Sequence, residues 1–220
     1  MEITQMPTIF DGYEQFFKIF SKEEFITFGL DNVISADVSG VAAGWDELVR
    51  KVKEKKSGLH VRDFGRAGGR NHHLSALYTD IFDITVEYDK SNNSQPTKVI
   101  HELTGHRKNK SIFNYQVSHV FGRTKNVFCF TAPWNIVFLP KIIDPLSGHE
   151  AKGDAASEFI SRFQKLIFEK FETQIFDFNK RMKILQPQIE EWLMQPRLPE
   201  ISEKIRNDLR KEFSEIHKPA

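Results

Sequence analysis

The sequence predicts an α+β protein with a helical N-terminal part, a central strand–loop–strand–helix unit and long C-terminal helices. Apolar residues recur at helical spacing in both outer parts, whereas β-branched and aromatic residues concentrate in residues 111–143. A chain of 220 residues can bury a core without disulfides. We divide it into an N-terminal helical and recognition region (1–97), a central unit (98–160) and a C-terminal helical region (161–220).

The N-terminal region is predicted to contain helices and one clear strand. Ser21 and Glu24 form a capping-box pattern that opens a helix. Residues 83–89 alternate apolar and polar side chains, which is typical of a strand. The predicted helices span 11–19, the segment after Ser21, 41–56, 72–82 and 97–104. Residues 59–70 read as a loop or a short strand with a flexible turn.

Two strands and then helices are predicted for the rest of the chain. The strands lie in 112–122 and 126–140, and they are joined by a polar loop. A long helix is predicted from about His149, and Pro187 interrupts or ends it. Its phenylalanine-rich stripe suits either the core or a dimer seam. A last amphipathic helix is predicted over 200–217.

The net charge of +1 is an average over blocks of opposite sign. Residues 50–70 carry eight Lys and Arg against two acids, and residues 98–141 carry seven against one, so each block has a net charge of +6. Such blocks are typical of nucleic-acid-binding proteins, although chance clustering on solvated faces would give the same pattern. Arg62, Arg66 and Arg70 alternate with glycines, which suits either a DNA-contacting loop or a plain surface loop.

One cysteine, Cys129, excludes an internal disulfide framework and zinc sites built from several cysteines. It lies in an apolar strand and is expected to be buried and inert. The sequence start does not resemble a signal peptide, and no apolar run reaches the roughly 18 residues of a membrane span. We therefore expect a cytoplasmic protein with no membrane association.

The central unit contains, at intervals, polar residues suited to phosphodiester hydrolysis. Ser118 and His119 end the first strand, Asn135 follows His119 by 16 residues, and His149 follows by a further 14. A histidine can act as a general base near neutral pH, and neutral Asn and His ligands leave the charge of a divalent ion free to act on phosphate. In the simpler interpretation, His119 is a hydrogen-bonded core residue, Asn135 a turn residue and His149 a helix start without function.

The motif consists of Ser118-His119, Asn135 and His149, with Lys152 three residues after His149. It resembles the HNH or ββα-metal endonuclease superfamily over about 40 of the 220 residues. The resemblance implies a metal-dependent endonuclease, with His119 as general base and His149 as metal ligand. Asn135 would orient the base or bind the metal. The implied cofactor is Mg²⁺, with Mn²⁺ as the alternative, and no structural zinc is expected because the paired cysteines of many members are absent.

The sequence departs from the family pattern at Ser118, where an Asp or His usually binds the metal. A ligand could instead come from Asp144, Glu150 or Asp154. Arg123, Lys125 and Lys152 lie near the motif residues in sequence and suit phosphate contact, or they are solvated charges.

The expected partner is DNA, cut by a restriction-type enzyme. A homodimer through the C-terminal helices is a candidate assembly. The alternatives are a non-catalytic nucleic-acid-binding protein and an RNA-directed nuclease or toxin.

Overall fold

The computed structural model describes residues 11–63, 71–91, 93–148, 151–195 and 201–219. It confirms the α+β class: within these ranges, α-helices surround two separate two-stranded sheets. None of the described helices is both long enough and apolar enough to cross a membrane.

Three helices open the described chain, and each begins at a side-chain cap. Ser21 Oγ accepts from Glu24 N at 3.2 Å, as the capping box predicts. Asp37 accepts from Gly40 N at 2.8 Å, which starts the third helix earlier than its apolar spacing suggested. The helices are α1 (Gly12–Phe16), α2 (Lys22–Asp31) and α3 (Val38–Lys53).

The first sheet joins two short parallel strands, β1 (His60–Arg62) and β2 (Glu87–Asp89). Arg62 lies opposite Asp89, so both strands end at the same edge. The β2 strand is shorter than predicted because a π-helical turn precedes it and the Asp89 carboxylate bonds the chain that follows. The helices on either side are α4 (Asn71–Leu77), before that turn, and α5 (Ser94–Thr104), after the strand.

The second sheet pairs β3 (Tyr115–His119) with β4 (Ile136–Pro140) in antiparallel register, with His119 opposite Ile136. The predicted second strand is shortened because residues 126–132 fold as turns. Asn126 Oδ1 accepts from Phe128 N at 2.9 Å, a local bond that competes with strand pairing. Every residue of β4 is buried.

The C-terminal helices are α6 (Asp154–Lys170), α7 (Glu172–Leu193) and α8 (Glu203–Glu212). The helix predicted from His149 therefore begins at Asp154, and α7 continues through Pro187. The phenylalanine stripe lies in the core of the chain: Phe159, Phe163 and Phe178 are at most 1% exposed. All three predicted regions contribute to one hydrophobic cluster.

Trp134 lies at the meeting point of these layers and is fully buried. Its ring centroid is 5.7 Å from that of Trp45 on α3 and 5.4 Å from that of Phe178 on α7. The short 3₁₀ turn that carries Trp134, Pro133–Asn135, leads directly into β4. Contacts of Trp134 with α3 and α7 therefore fix the position of Asn135, the next residue in the chain.

Helix α3 approaches this turn closely at Gly44, where an added Cβ would lie 2.7 Å from Pro133 Cγ. We expect Gly44→Ala to lower the free energy of unfolding by about 1–3 kcal/mol because the added methyl group overpacks the contact. Urea unfolding measures this loss. Gly12→Ala is the control, since among the described residues an added Cβ there would meet no atom within 4 Å outside its chain neighbours and its own helix. Equal effects of the two substitutions would contradict the close packing at Gly44.

Candidate active site

His119 is held at the end of β3 by one ring nitrogen. Its Nε2 lies 2.9 Å from the backbone oxygen of Phe130, and the two rings stack with centroids 5.5 Å apart. A carbonyl oxygen only accepts hydrogen bonds, so Nε2 carries the hydrogen and Nδ1 carries the lone pair. His119 therefore presents one fixed tautomer.

Burial lowers the pKa of His119 to about 4. The bond to the Phe130 carbonyl opposes this shift, the positive charge of Arg62 adds to it, and Asp89 opposes it. The imidazole is therefore neutral at pH 7, and its Nδ1 can accept a proton without first losing one.

Asn135 is fully buried and bonds the backbone on both sides of the loop between β3 and β4. Its Oδ1 accepts from Phe121 N at 2.9 Å, and its Nδ2 donates to the oxygens of Gly122 and Cys129, each at 3.0 Å. Both amide hydrogens are used, and the oxygen faces the core. The structure therefore gives no support to Asn135 as a metal ligand and makes it a positioning residue for the loop that carries Phe130.

The other predicted metal ligands lie on different elements where the structure describes them. Ser118 is half-buried on β3 opposite Val137. Burial raises the pKa of Asp144, whose carboxylate accepts a hydrogen bond from Ser147 Oγ at 3.4 Å. Asp154 is exposed at the start of α6. His149 and Glu150 lie outside the described residues.

A metal centre does not form from the described residues alone. In the described ranges, no group of three or more His, Cys, Asp or Glu is placed to hold a metal ion. These residues therefore do not fit the Mg²⁺ or Mn²⁺ site that the resemblance implies, and no chemical step can be derived through such an ion from their geometry.

Arg123 and Lys125 bind the C-terminal segment, whereas the sequence suggested phosphate contacts or solvated charges for them. The Arg123 guanidinium donates to the backbone oxygens of Ser214 at 3.0 Å and Glu215 at 2.8 Å. Lys125 Nζ lies 3.5 Å from Glu212 Oε1, and the Lys125 backbone N–H donates to Glu212 Oε2 at 2.8 Å. Burial raises the pKa of Glu212, and Lys125 opposes that shift. Both cations therefore hold the loop after β3 to the C-terminal segment.

The remaining predicted cations divide into three cases. Arg66 and Arg70 lie outside the described residues, and Lys152 is exposed just before α6. Arg62, at the end of β1, lines a cavity of about 280 Å³. The other described residues that line it are Asn93, Thr97, Lys108, Gln116 and Val117.

Sequence reasoning did not identify Asn93, Thr97, Lys108 or Gln116 as site residues. Lys108 lies in the second basic block, so its charge was the available signal. Asn93, Thr97 and Gln116 are uncharged and isolated in the sequence, so no comparable signal marked them.

Cys129 is buried, as predicted. Burial raises the pKa of its thiol well above the ordinary value, so the reactive thiolate is disfavoured. The backbone oxygen of Cys129 accepts a hydrogen bond from Asn135 Nδ2, so Cys129 supports the loop through its backbone and not through its thiol.

The anchoring role of Arg123 predicts a stability effect. Arg123→Met leaves the Ser214 and Glu215 oxygens without their donor, so we expect the free energy of unfolding to fall by about 2–3 kcal/mol in urea titrations. Arg107→Met is the control, because Arg107 is exposed. Unchanged stability with weaker DNA binding would instead assign Arg123 to phosphate contact.

The low pKa of His119 predicts a pH-dependent stability. Below about pH 6.5 the unfolded chain protonates this histidine, while the folded chain stays neutral until about pH 4. Stability from this group is therefore complete above pH 6.5 and falls by up to about 3 kcal/mol as the pH drops to 4. Comparing urea unfolding of the wild type and His119→Gln across this range isolates the effect. Parallel pH profiles would contradict it.

Comparison with known proteins places the chain in a family. A family model described as "Uncharacterised protein PM1201" matches residues 36–218. The "Uncharacterized protein PM1201" of Pasteurella multocida (strain Pm70) is 38% identical over 215 residues, covering 94% of this chain and 98% of that protein. No solved structure matches the chain significantly. The chain therefore belongs to the PM1201 family.

Proposed function

We propose that the protein is a metal-dependent endonuclease that hydrolyses DNA phosphodiester bonds, as a restriction-type HNH enzyme. One observation carries the proposal: His119 ends the first strand of a strand–loop–strand–helix unit, with Nε2 fixed by the Phe130 carbonyl and Nδ1 left as the base. A backbone acceptor that fixes the tautomer is a common way to orient a catalytic histidine.

In this mechanism, His119 Nδ1 takes a proton from a water molecule while the oxygen of that water attacks phosphorus. The new P–O bond forms while the bond to the leaving sugar oxygen breaks, and that oxygen takes up a proton from solvent. Asn135 holds the loop that carries Phe130, so it keeps the base in place without touching the substrate. The positive charge of Arg62 favours an anionic substrate beside His119.

The divalent ion, Mg²⁺ or Mn²⁺, enters the proposal through the family resemblance. When bound, such an ion stabilises negative charge that develops on phosphate oxygens. Because the described residues do not assemble its ligands, His149 and Glu150 are the first positions at which to test metal dependence.

We further propose a cytoplasmic homodimer formed through the C-terminal helices. Helix α7 supports this assembly because Phe176 is 54% and Ile184 61% exposed on it. Two active sites in one assembly would allow both strands of a duplex to be cut.

Cleavage of supercoiled plasmid with added Mg²⁺ or Mn²⁺ tests the activity. We expect wild-type protein to nick the plasmid and chelator to stop it. His119→Ala should lower the rate by at least about 100-fold, because it removes the general base. His217→Ala is the control, since that histidine is exposed near the C-terminal end of the described chain.

Each alternative has a distinct outcome in the same assay. Undiminished nicking by His119→Ala would show that another group is the base. Cleavage of RNA but not DNA would favour the RNA-directed nuclease. Salt-sensitive DNA binding without cleavage of DNA or RNA by any divalent ion would favour the non-catalytic binding protein.

A further inference from the structure

The cavity beside β3 is built from four parts of the chain. The end of β1 contributes Arg62, and the segment that enters α5 contributes Asn93 and Thr97. The loop after α5 contributes Lys108, and β3 contributes Gln116 and Val117. Its volume of about 280 Å³ lies at the lower end of the range for small-molecule sites, so it suits one chemical group of a larger ligand.

Positive charge dominates the wall of this cavity. Arg62 and Lys108 line it, and no carboxylate side chain does so among the residues that the structure describes. Lys108 is half-buried, and within the described part of the chain no carboxylate forms an ion pair with its Nζ. Asp89, opposite Arg62 in the sheet, accepts hydrogen bonds from Ser91 and Gln95 and is not among the described residues that line the cavity. The cavity therefore favours an anion.

The neutral side chains add hydrogen-bonding capacity. Asn93 Nδ2 donates to Val117 O at 3.3 Å, while its Oδ1 is buried without a partner among the described residues. The side chains of Thr97 and Gln116 make no hydrogen bond to any described residue. A ligand with anionic oxygens and a neighbouring donor group would use both kinds of capacity.

We propose that this cavity binds one phosphate group of a nucleic-acid strand. Lys108 and Arg62 supply the charge, Thr97 and Gln116 donate hydrogen bonds, and Asn93 Oδ1 accepts from the attached nucleoside. Val117 precedes His119 by two residues, about 7 Å along an extended strand. This phosphate would therefore neighbour the phosphodiester bond that is hydrolysed beside His119, a placement that rests on the proposed nuclease function.

Binding in the presence of chelator tests the cavity without requiring cleavage. The probes are inorganic phosphate, a nucleoside monophosphate and an eight-residue single-stranded DNA. We expect Lys108→Gln to weaken binding of the DNA about tenfold and to reduce its salt slope by about one. Lys110→Gln is the matched control, because it removes the same charge from an exposed position in the same loop. Thr97→Val should weaken binding about threefold with no change in charge.

Nuclear magnetic resonance supplies an independent readout. The side-chain amide signals of Asn93 and Gln116 should shift when the DNA is added, and urea midpoints should confirm that each variant is folded. Equal effects of Lys108→Gln and Lys110→Gln, or unshifted amide signals, would overturn the proposal. Tighter binding of the mononucleotide than of the DNA would overturn nucleic acid as the source of the phosphate.

The two proposals fail in different ways. Lys108-dependent DNA binding by a protein that cuts no nucleic acid supports the phosphate cavity and overturns the nuclease. Metal-dependent cutting that is indifferent to Lys108→Gln supports the nuclease and overturns the cavity.

Discussion

The buried amide of Asn135 is the constraint on which the central unit depends. It joins Phe121 and Gly122 at the start of the loop to Cys129 near its end, inside a core that water does not reach. Without Asn135, the buried Phe121 N–H would have no partner among the described residues, at a cost of about 1–3 kcal/mol, whereas Cys129 O also accepts from Ala132 N at 3.3 Å. Since Phe130 follows Cys129 directly, the same three bonds determine where the His119 ring is held.

Positive charge in this protein serves two separate purposes. Arg123 and Lys125 bind the C-terminal segment, so these two members of the second basic block contribute to holding the chain together. Arg62 and Lys108 line a cavity instead. The basic residues of one block in the sequence therefore do not all share the same surroundings in the folded chain.

The sequence predicted the parts of the fold that depend on regular patterns. Helical spacing located α3 and α6, and the capping box located α2, because these signals are local. The residues 126–132 were expected to be a strand, and they are not, because Asn126 bonds the nearby backbone and the distant Glu212. Long-range partners of this kind have no local signature, and they explain why the strand length was overestimated.

In the candidate site, too, features with a local sequence signal were predicted and features that depend on long-range contacts were not. The position of His119 at a strand end was predicted from alternation alone. The roles of Asn135 and Arg123 were not, since each depends on which backbone atoms approach it in the folded chain. A side chain's type indicates the chemistry it can perform, but its role follows from whether its polar atoms remain available after folding.

The bonds from Arg123 to Ser214 span 91 positions of the chain. During synthesis the ribosome must therefore add these residues after Arg123 before the loop can make its last contacts. At ordinary rates of translation this delay is roughly 5–20 s. The segment that carries Phe130 thus completes its packing late, and a nascent chain does not present a fully formed site until its C-terminal helices have emerged.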